Sequence, residues 1–143
     1  MTTVKELLKA KGEEIWSITP DTSVYTALEI MAEKNVGALL VVEGEQLVGI
    51  FSERDYARKG ILKGRASKDT PVRDVMTGRV FSIHPDNSLD DCLKLMTDKH
   101  IRHLPILDND RLRGMLTIGD VVKHIISEQQ TTIQSLEEYI GAR

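Results

Sequence analysis

Residues 17–56 and 82–121 are two copies of one pattern, offset by 65 residues without a gap, and no other feature constrains the fold as much. Twelve of the forty aligned positions are identical: Ser17/Ser82, Ile18/Ile83, Pro20/Pro85, Asp21/Asp86, Ser23/Ser88, Leu28/Leu93, Met31/Met96, Lys34/Lys99, Leu39/Leu104, Leu47/Leu112, Gly49/Gly114 and Asp55/Asp120. Most remaining pairs conserve character, as in Val36/Ile101, Val41/Ile106, Phe51/Leu116 and Ser52/Thr117. A period this long exceeds that of a solenoid unit and suits a duplicated half-domain. Two such halves packed face to face make a pseudo-two-fold cleft with up to two equivalent sites.

At 143 residues the chain suffices for one compact domain or two small lobes sharing a core. A net charge of −3 gives no reason to expect a nucleic acid or an anionic membrane surface as partner. The longest apolar run, residues 38–42, is far short of a membrane span. The first residues lack the apolar core of a secretory signal, so a cytoplasmic location is expected. The lone cysteine, Cys92, can form no internal disulfide and lies on an apolar helical stripe, where a small buried side chain is expected.

Each copy reads β-α-β-β-α. A short extended piece, residues 14–18 or 80–83, ends at Pro20 or Pro85, because proline pushes its predecessor out of the helical region. Ser23 and Ser88 are placed to cap helices whose apolar residues recur at i, i+3, i+4 and i+7: Val24, Ala27, Leu28 and Met31 against Leu89, Cys92, Leu93 and Met96. These helices are predicted to end near Asn35 and His100. Two apolar runs follow, joined by turns in which Gly44 and Asn109 take the position needing positive φ. A second helix is predicted from about Glu53 or Ile118. Residues 63–74 are polar and read as a linker. Residues 4–9 read as a small amphipathic helix. The helical tail beyond Val121 carries Val122, Ile125, Ile126, Ile133, Leu136 and Ile140, more apolar surface than a solitary terminal helix needs, which suggests a partner subunit.

The end of each hairpin carries the most informative chemistry. The copies read Gly49-Ile50-Phe51-Ser52-Glu53-Arg54-Asp55 and Gly114-Met115-Leu116-Thr117-Ile118-Gly119-Asp120. Ser/Thr-x-x-Asp at a helix N-terminus is a capping box. The same arrangement also suits a nucleotide, with a phosphate at the helix N-terminus and a carboxylate accepting the ribose hydroxyls. The glycine three residues before the hydroxyl would admit a ligand or the other copy close to the strand. Basic residues break the symmetry. Arg54 stands where the second copy has Gly119, and Arg102-His103 stand where the first has Gly37-Ala38. An arginine there suits a phosphate clamp or a solvated surface position, and His103 a phosphate donor or a hydrogen-bonded structural role. The four histidines and Cys92 show no metal-ligand spacing, and neither a Walker loop nor a Rossmann glycine fingerprint is present.

These motifs together resemble a tandem pair of CBS domains, the cystathionine-β-synthase-type repeat whose pair is called a Bateman module. The resemblance rests on Asp74-Val75-Met76-Thr77, on Pro20-Asp21-x-Ser23 and Pro85-Asp86-x-Ser88, on residues 101–106, and on the two Gly-x-x-Ser/Thr-x-x-Asp motifs. Residues 51–59 further resemble stand-alone bacterial two-repeat proteins. It implies a mixed α/β (α+β) fold of two β-α-β-β-α repeats related by a pseudo-two-fold axis, at residues 10–62 and 74–127, with a linker at 63–73 and a helical tail at 128–143. It further implies a non-catalytic module that binds AMP, ADP, ATP or an NAD-type dinucleotide, senses energy or redox state, and signals by conformational change to an effector. In the family the motif aspartate holds ribose and the hydroxyl assists, roles that would pass to Asp55 and Ser52 and to Asp120 and Thr117. Arg102 and His103 would face phosphate. Ile18, Thr19, Ile83 and His84 would border the adenine, as would residues 36–38 (including Gly37 and Ala38) and 101–103. Tandem pairs of this type usually dimerise. The first hairpin departs from the pattern with Leu40 where the second has Pro105. The competing reading is a structural adaptor in which both boxes serve only as helix caps, and an enzyme finds no nucleophile, base or metal set.

Overall fold

The computed structural model describes residues 2–12 and 14–141. Helix α1 (Val4–Lys11) precedes β1 (Ser17–Ile18), α2 (Val24–Lys34), β2 (Ala38–Glu43), β3 (Gln46–Ser52) and a short α3 (Glu53–Asp55). α3 continues as a π-helical turn, Tyr56–Gly60, and a 3-10 turn, Ile61–Lys63, so the second helix of this copy is irregular after its first turn. A 3-10 turn at Val72–Asp74 leads into α4 (Leu89–Lys99), β4 (His103–Asp108), β5 (Arg111–Thr117) and α5 (Ile118–Gly141). α5 is one unbroken helix, so the backbone marks no boundary between residues 127 and 128.

The local rules of the repeat operate in both copies. The Ser23 and Ser88 hydroxyls accept from the N–H groups of Thr26 and Asp91, and Asp91 returns a bond from the Ser88 N–H. Asn35 and His100 close their helices in the left-handed region, at φ 54° and 55°. In the second hairpin Asn109 and Asp110 both have positive φ, as a type I′ turn requires; in the first only Gly44 does.

β1 runs parallel to β2, which pairs antiparallel with β3; β4 pairs with β5 in a separate two-stranded sheet. The expected strand at residues 80–83 shrinks to one parallel bridge, Ile83 to Ile106. Proline is the cause. In the first copy the Leu40 N–H donates to the Trp16 carbonyl at 3.2 Å. Its counterpart, Pro105, has no N–H to give, and the ladder stops one residue short.

β2 is an apolar run because it is covered on both faces. Leu39 and Val41 join the core formed with Ile18, Val24, Ala27, Met31 and Phe51, while Ala38 and Leu40 are also fully buried but lie outside that cluster. The second core gathers Ile83, Leu89, Cys92, Met96, Leu104, Ile106, Leu116 and Val121. Burial pushes the Cys92 thiol up to about 11, which leaves it unreactive at neutral pH.

Each core is completed by the segment that precedes the other copy. Val72 and Val75 are buried in the first core, and Val4, Leu7 and Leu8 of α1 in the second. The backbone docks alike on both sides: the Val72 and Arg73 N–H groups donate to Thr22 and Pro20, and those of Val4 and Lys5 to Asn87 and Pro85. The stretch expected as a linker, 63–73, is therefore structural from Thr70 onward; Thr70 is buried and Pro71 bridges Ser23. Likewise α1, outside the expected first repeat at 10–62, belongs to the packing of the second. Apolar patterning shows that such segments are amphipathic, but not which core they cover.

A cleft open on one side and plugged on the other

Ser52 ends β3, and its hydroxyl accepts from the Asp55 N–H at 3.2 Å. Oδ2 of Asp55 in turn accepts from the Ser52 N–H and hydroxyl, both at 3.0 Å. The box is closed, and it turns Oδ1 toward the segment before the second copy. There the Thr77 hydroxyl donates to Oδ1 at 2.9 Å, with the Lys59 ammonium 3.3 Å away. Thr77 is held by two backbone bonds with Ile50, at 2.9 and 3.0 Å, which add it as a short strand to the edge of β3. That contact explains Gly49: a Cβ there would lie 2.6 Å from the Met76 sulfur and 3.0 Å from the Thr77 carbonyl oxygen. The close approach allowed by the motif glycine is made by protein, not left for a ligand.

A cavity of about 540 Å³ opens beside this carboxylate. The first copy lines it with Gly37, Ile50, Ser52, Glu53, Arg54 and Asp55, and the second with Thr77, Arg79, Val80, Phe81 and residues 99–103. Four cationic side chains, Arg54, Arg79, Lys99 and Arg102, face two anionic ones, so the cavity favours an anion. Phe81 and Ile101 supply apolar surface, and the Lys99 ammonium sits 5.1 Å from the Phe81 ring centroid. Arg54 ties the two copies together by donating to the His100 carbonyl at 3.1 Å. The His103 ring lies 3.6 Å from where a Cβ on Gly37 would be, an ordinary contact distance, so the imidazole packs beside the first copy at this point. Burial lowers the pKa of His103, and the nearby Lys11 and Arg102 lower it further against the opposing effect of Asp120. The ring is therefore neutral at pH 7.

Of the residues expected at a site, the cavity brings together Gly37, Ser52, Arg54, Asp55, Arg102 and His103. Ile18, Thr19, Ala38, Ile83, His84, Thr117 and Asp120 do not line it. Ile18, Ala38 and Ile83 are buried, Ile18 and Ile83 within the two cores. Thr19 bonds within its own turn to Thr22. His84 accepts at Nδ1 from the Asp86 N–H and lies 3.2 Å through Nε2 from Asp108, which keeps it on the second hairpin. Sequence reasoning passed over Thr77, Arg79, Val80, Phe81 and Lys99. They fall at or before the start of the repeat, or repeat a lysine whose partner, Lys34, sits over Trp16 on the other side. The shortened β1 equivalent was the available signal, since Pro105 cannot hold Phe81 as Leu40 holds Trp16.

At Asp120 the same motif meets a different neighbour. Thr117 and Asp120 exchange capping bonds at 2.9 and 3.1 Å. The Lys11 ammonium, from the last turn of α1, donates to Asp120 Oδ2 at 2.5 Å and to the Met115 carbonyl at 2.6 Å. Burial raises the Asp120 pKa, but Lys11 and the Thr117 N–H and hydroxyl outweigh it and hold the carboxyl below its usual range. Gly114 admits α1 here, as Gly49 admits Met76: a Cβ would fall 2.9 Å from Leu8 Cδ1. Among the described residues no group of three or more histidine, cysteine or carboxylate side chains could hold a metal ion. No helix among them is long and apolar enough to cross a membrane.

Two halves with exchanged entry segments and a cleft between them define a tandem CBS pair, and comparison with known proteins agrees. The CBS domain profile matches residues 3–60 and 72–127, and the chain belongs to that family. It is 42% identical over 149 residues to the mitochondrial CBS domain-containing protein CBSX3 of Arabidopsis thaliana, a match covering 97% of this chain and 72% of that protein. Among solved structures, a signal-transduction protein with CBS domains from Burkholderia ambifaria superposes with a TM-score of 0.87 at 48% identity, covering 90% of this chain and 96% of that one. The structure of CBSX2 in complex with AMP matches with a TM-score of 0.74 at 27% identity, covering 89% and 98%.

Proposed function

We propose that this chain is a non-catalytic regulatory module that binds one adenine nucleotide in the cleft beside Asp55. The observation carrying this reading is the division of labour in the cavity. A carboxylate–hydroxyl pair suits a ribose, Phe81 and Ile101 offer a surface to a base, and Arg54, Arg79, Lys99 and Arg102 surround the space left for phosphate. Ribose hydroxyls would replace the Thr77 hydroxyl or the Lys59 ammonium on Oδ1, while Oδ2 keeps its capping bonds. The AMP complex of the related CBSX2 supports a ligand of this class. AMP, ADP, ATP and NAD-type dinucleotides all present the required parts. Because the walls come from both copies, a bound nucleotide favours one relative arrangement of the halves over others, which is the condition for signalling to an effector.

Calorimetry with AMP, ATP and NAD tests this. We expect about one ligand per chain, weakened by Asp55→Ala and by Arg102→Ala. Absence of binding below millimolar, or an Asp55→Ala affinity equal to wild type, refutes it. The adaptor reading has an observation of its own, since both boxes are complete without any ligand. It requires Asp55→Ala to lower stability by about 0.5–2 kcal/mol and leave nucleotide affinity unchanged.

A further inference from the structure

His103 is the one side chain that lines the Asp55 cavity and is also acted on by the Lys11–Asp120 pair. Its Nε2 is turned toward the first copy, 3.6 Å from the would-be Cβ of Gly37. Glu53 Oε1 lies 4.0 Å from that same point, so α3 brings a solvent-exposed carboxylate near the ring. Lys11 of α1 and Asp120 of α5 reach it from outside the cavity, and Arg102 precedes it in sequence. The other charged residues of the cavity are Arg54, Arg79, Lys99 and Asp55. Among the described residues neither ring nitrogen makes a hydrogen bond.

An anion in the cavity reverses what these neighbours do to the ring. Burial disfavours the imidazolium, Lys11 and Arg102 disfavour it further, and Asp120 opposes them. With four cationic side chains against two carboxylates in the cavity, the chain by itself keeps the imidazole neutral at pH 7. A phosphate among Arg54, Arg79, Lys99 and Arg102 offsets those cations and puts negative charge beside the ring, which favours its charged form. The charged ring donates from both nitrogens, whereas the neutral ring has one donor and can turn a lone pair toward a phosphate oxygen.

We propose that His103 links nucleotide binding to pH: as the anionic ligand enters, a proton passes from solvent to the unprotonated ring nitrogen, and the cleft binds more tightly as the solution becomes acidic. Resting on the nucleotide reading of the Asp55 cavity, this linkage adds a second input, the proton concentration, at the same site. By reciprocity, a ligand that draws a proton onto the ring is itself held better once the proton is there. The first copy has Ala38 at the equivalent position, so the duplication carries no second such group.

Calorimetry with whichever of AMP, ATP and NAD binds tightest, run in two buffers of different ionisation enthalpy, counts the protons taken up on binding. Wild type should take up more than His103→Gln, whose side chain carries no titrating proton. His100→Asn removes the other imidazole of the cavity but tolerates the same left-handed helix end, and it should behave as wild type. Between about pH 7.5 and about pH 5.5 the affinity of wild type should rise about three- to tenfold relative to His103→Gln. Taking the ratio cancels the titration of the ligand's own phosphate, which falls at about pH 6 for a monoester. NMR on wild type, with the ring assigned through the backbone, should show the His103 pKa rising by about one unit or more at saturation. Equal proton uptake in wild type and His103→Gln, uptake lost in His100→Asn instead, or a His103 pKa that the ligand leaves in place overturns the linkage while nucleotide binding stands. Failure of AMP, ATP and NAD alike to bind overturns the nucleotide reading and the linkage with it.

Discussion

Asp55 and Asp120 occupy the same place in the repeat and cap the following helix with the same reciprocal bonds, yet they face different surroundings. Beside Asp55 the entry segment arrives extended, pairs through Thr77 with Ile50, and leaves a cavity open in front of the carboxylate. Beside Asp120 the entry segment arrives as α1, whose last turn delivers the Lys11 ammonium onto the carboxylate. Both carboxylates pair with a lysine of their own chain, Lys59 at 3.3 Å from Asp55 and Lys11 at 2.5 Å from Asp120, but Asp55 lines the cavity between the copies and Asp120 does not. The deciding residues lie outside the repeat. Duplication copied the caps, while the segments leading into each copy diverged in conformation and set which cleft stays open.

The sharpest way to break this comparison is to remove each carboxylate in turn. Asp55→Ala should weaken nucleotide binding by about 10–100-fold, the loss expected for hydrogen bonds to a charged group. Asp120→Ala should leave it within about twofold, as calorimetry would show. Equal losses would mean the second cleft opens readily. Next comes the glycine pair. Gly49→Ala forces a Cβ against the Thr77 backbone and should cost about 1–3 kcal/mol. Gly114→Ala meets only the tip of Leu8, which can turn aside, and the roughly 0.5–1 kcal/mol by which alanine is favoured over glycine in a strand offsets what remains. Urea denaturation of both variants measures the difference.

Lys11→Met addresses the plug directly. It should free Asp120 and raise ligand stoichiometry from one toward two, the second site weaker for want of a counterpart to Arg54. It should also raise the Asp120 pKa, which carbon-detected NMR follows. The sign follows from linkage. A carboxyl held below its unfolded value stabilises the fold above that value, about pH 3.9, and loses the contribution as pH falls through the folded pKa. Wild type should therefore lose more stability than Lys11→Met on acidification below about pH 4.

The smallest effect concerns His103. Its folded pKa lies below the unfolded value of about 6.5, so the unfolded chain takes up the proton first and stability declines as pH drops from about 6.5 toward the folded pKa. Urea titrations at pH 7.5 and 5.5 should show this decline in wild type and less of it in His103→Gln. If the two proteins respond alike, the burial assigned to the ring is wrong.

Much of the fold was legible because the repeat rests on local rules. Ser23 and Ser88 cap helices by their own side chains, Asn35 and His100 end them by accepting positive φ, and the hairpin turns follow from Gly44 and Asn109. The candidate site was legible in part. Ser52, Asp55, Arg54, Gly37, Arg102 and His103 converge because they flank the two hairpins, whose placement the repeat implies. Phe81 and Lys99 escape a reading of the sequence because their counterparts, Trp16 and Lys34, make the same contact without lining the cavity between the copies. The sequence places Thr77 in a family motif but names no partner for it, since its bond to Asp55 depends on a docking 22 residues away along the chain.

By itself the sequence determined the duplication, the order of elements within each copy, the caps and the two motif carboxylates, because each depends on residues within a few positions of one another. Only the tertiary structure decided that each entry segment crosses to complete the other core, that Pro105 shortens the second sheet and frees Phe81, and that Lys11 pairs with Asp120. Those outcomes depend on how apolar faces far apart in the chain pair with one another, and α1 carries the same kind of amphipathic pattern whichever core it covers.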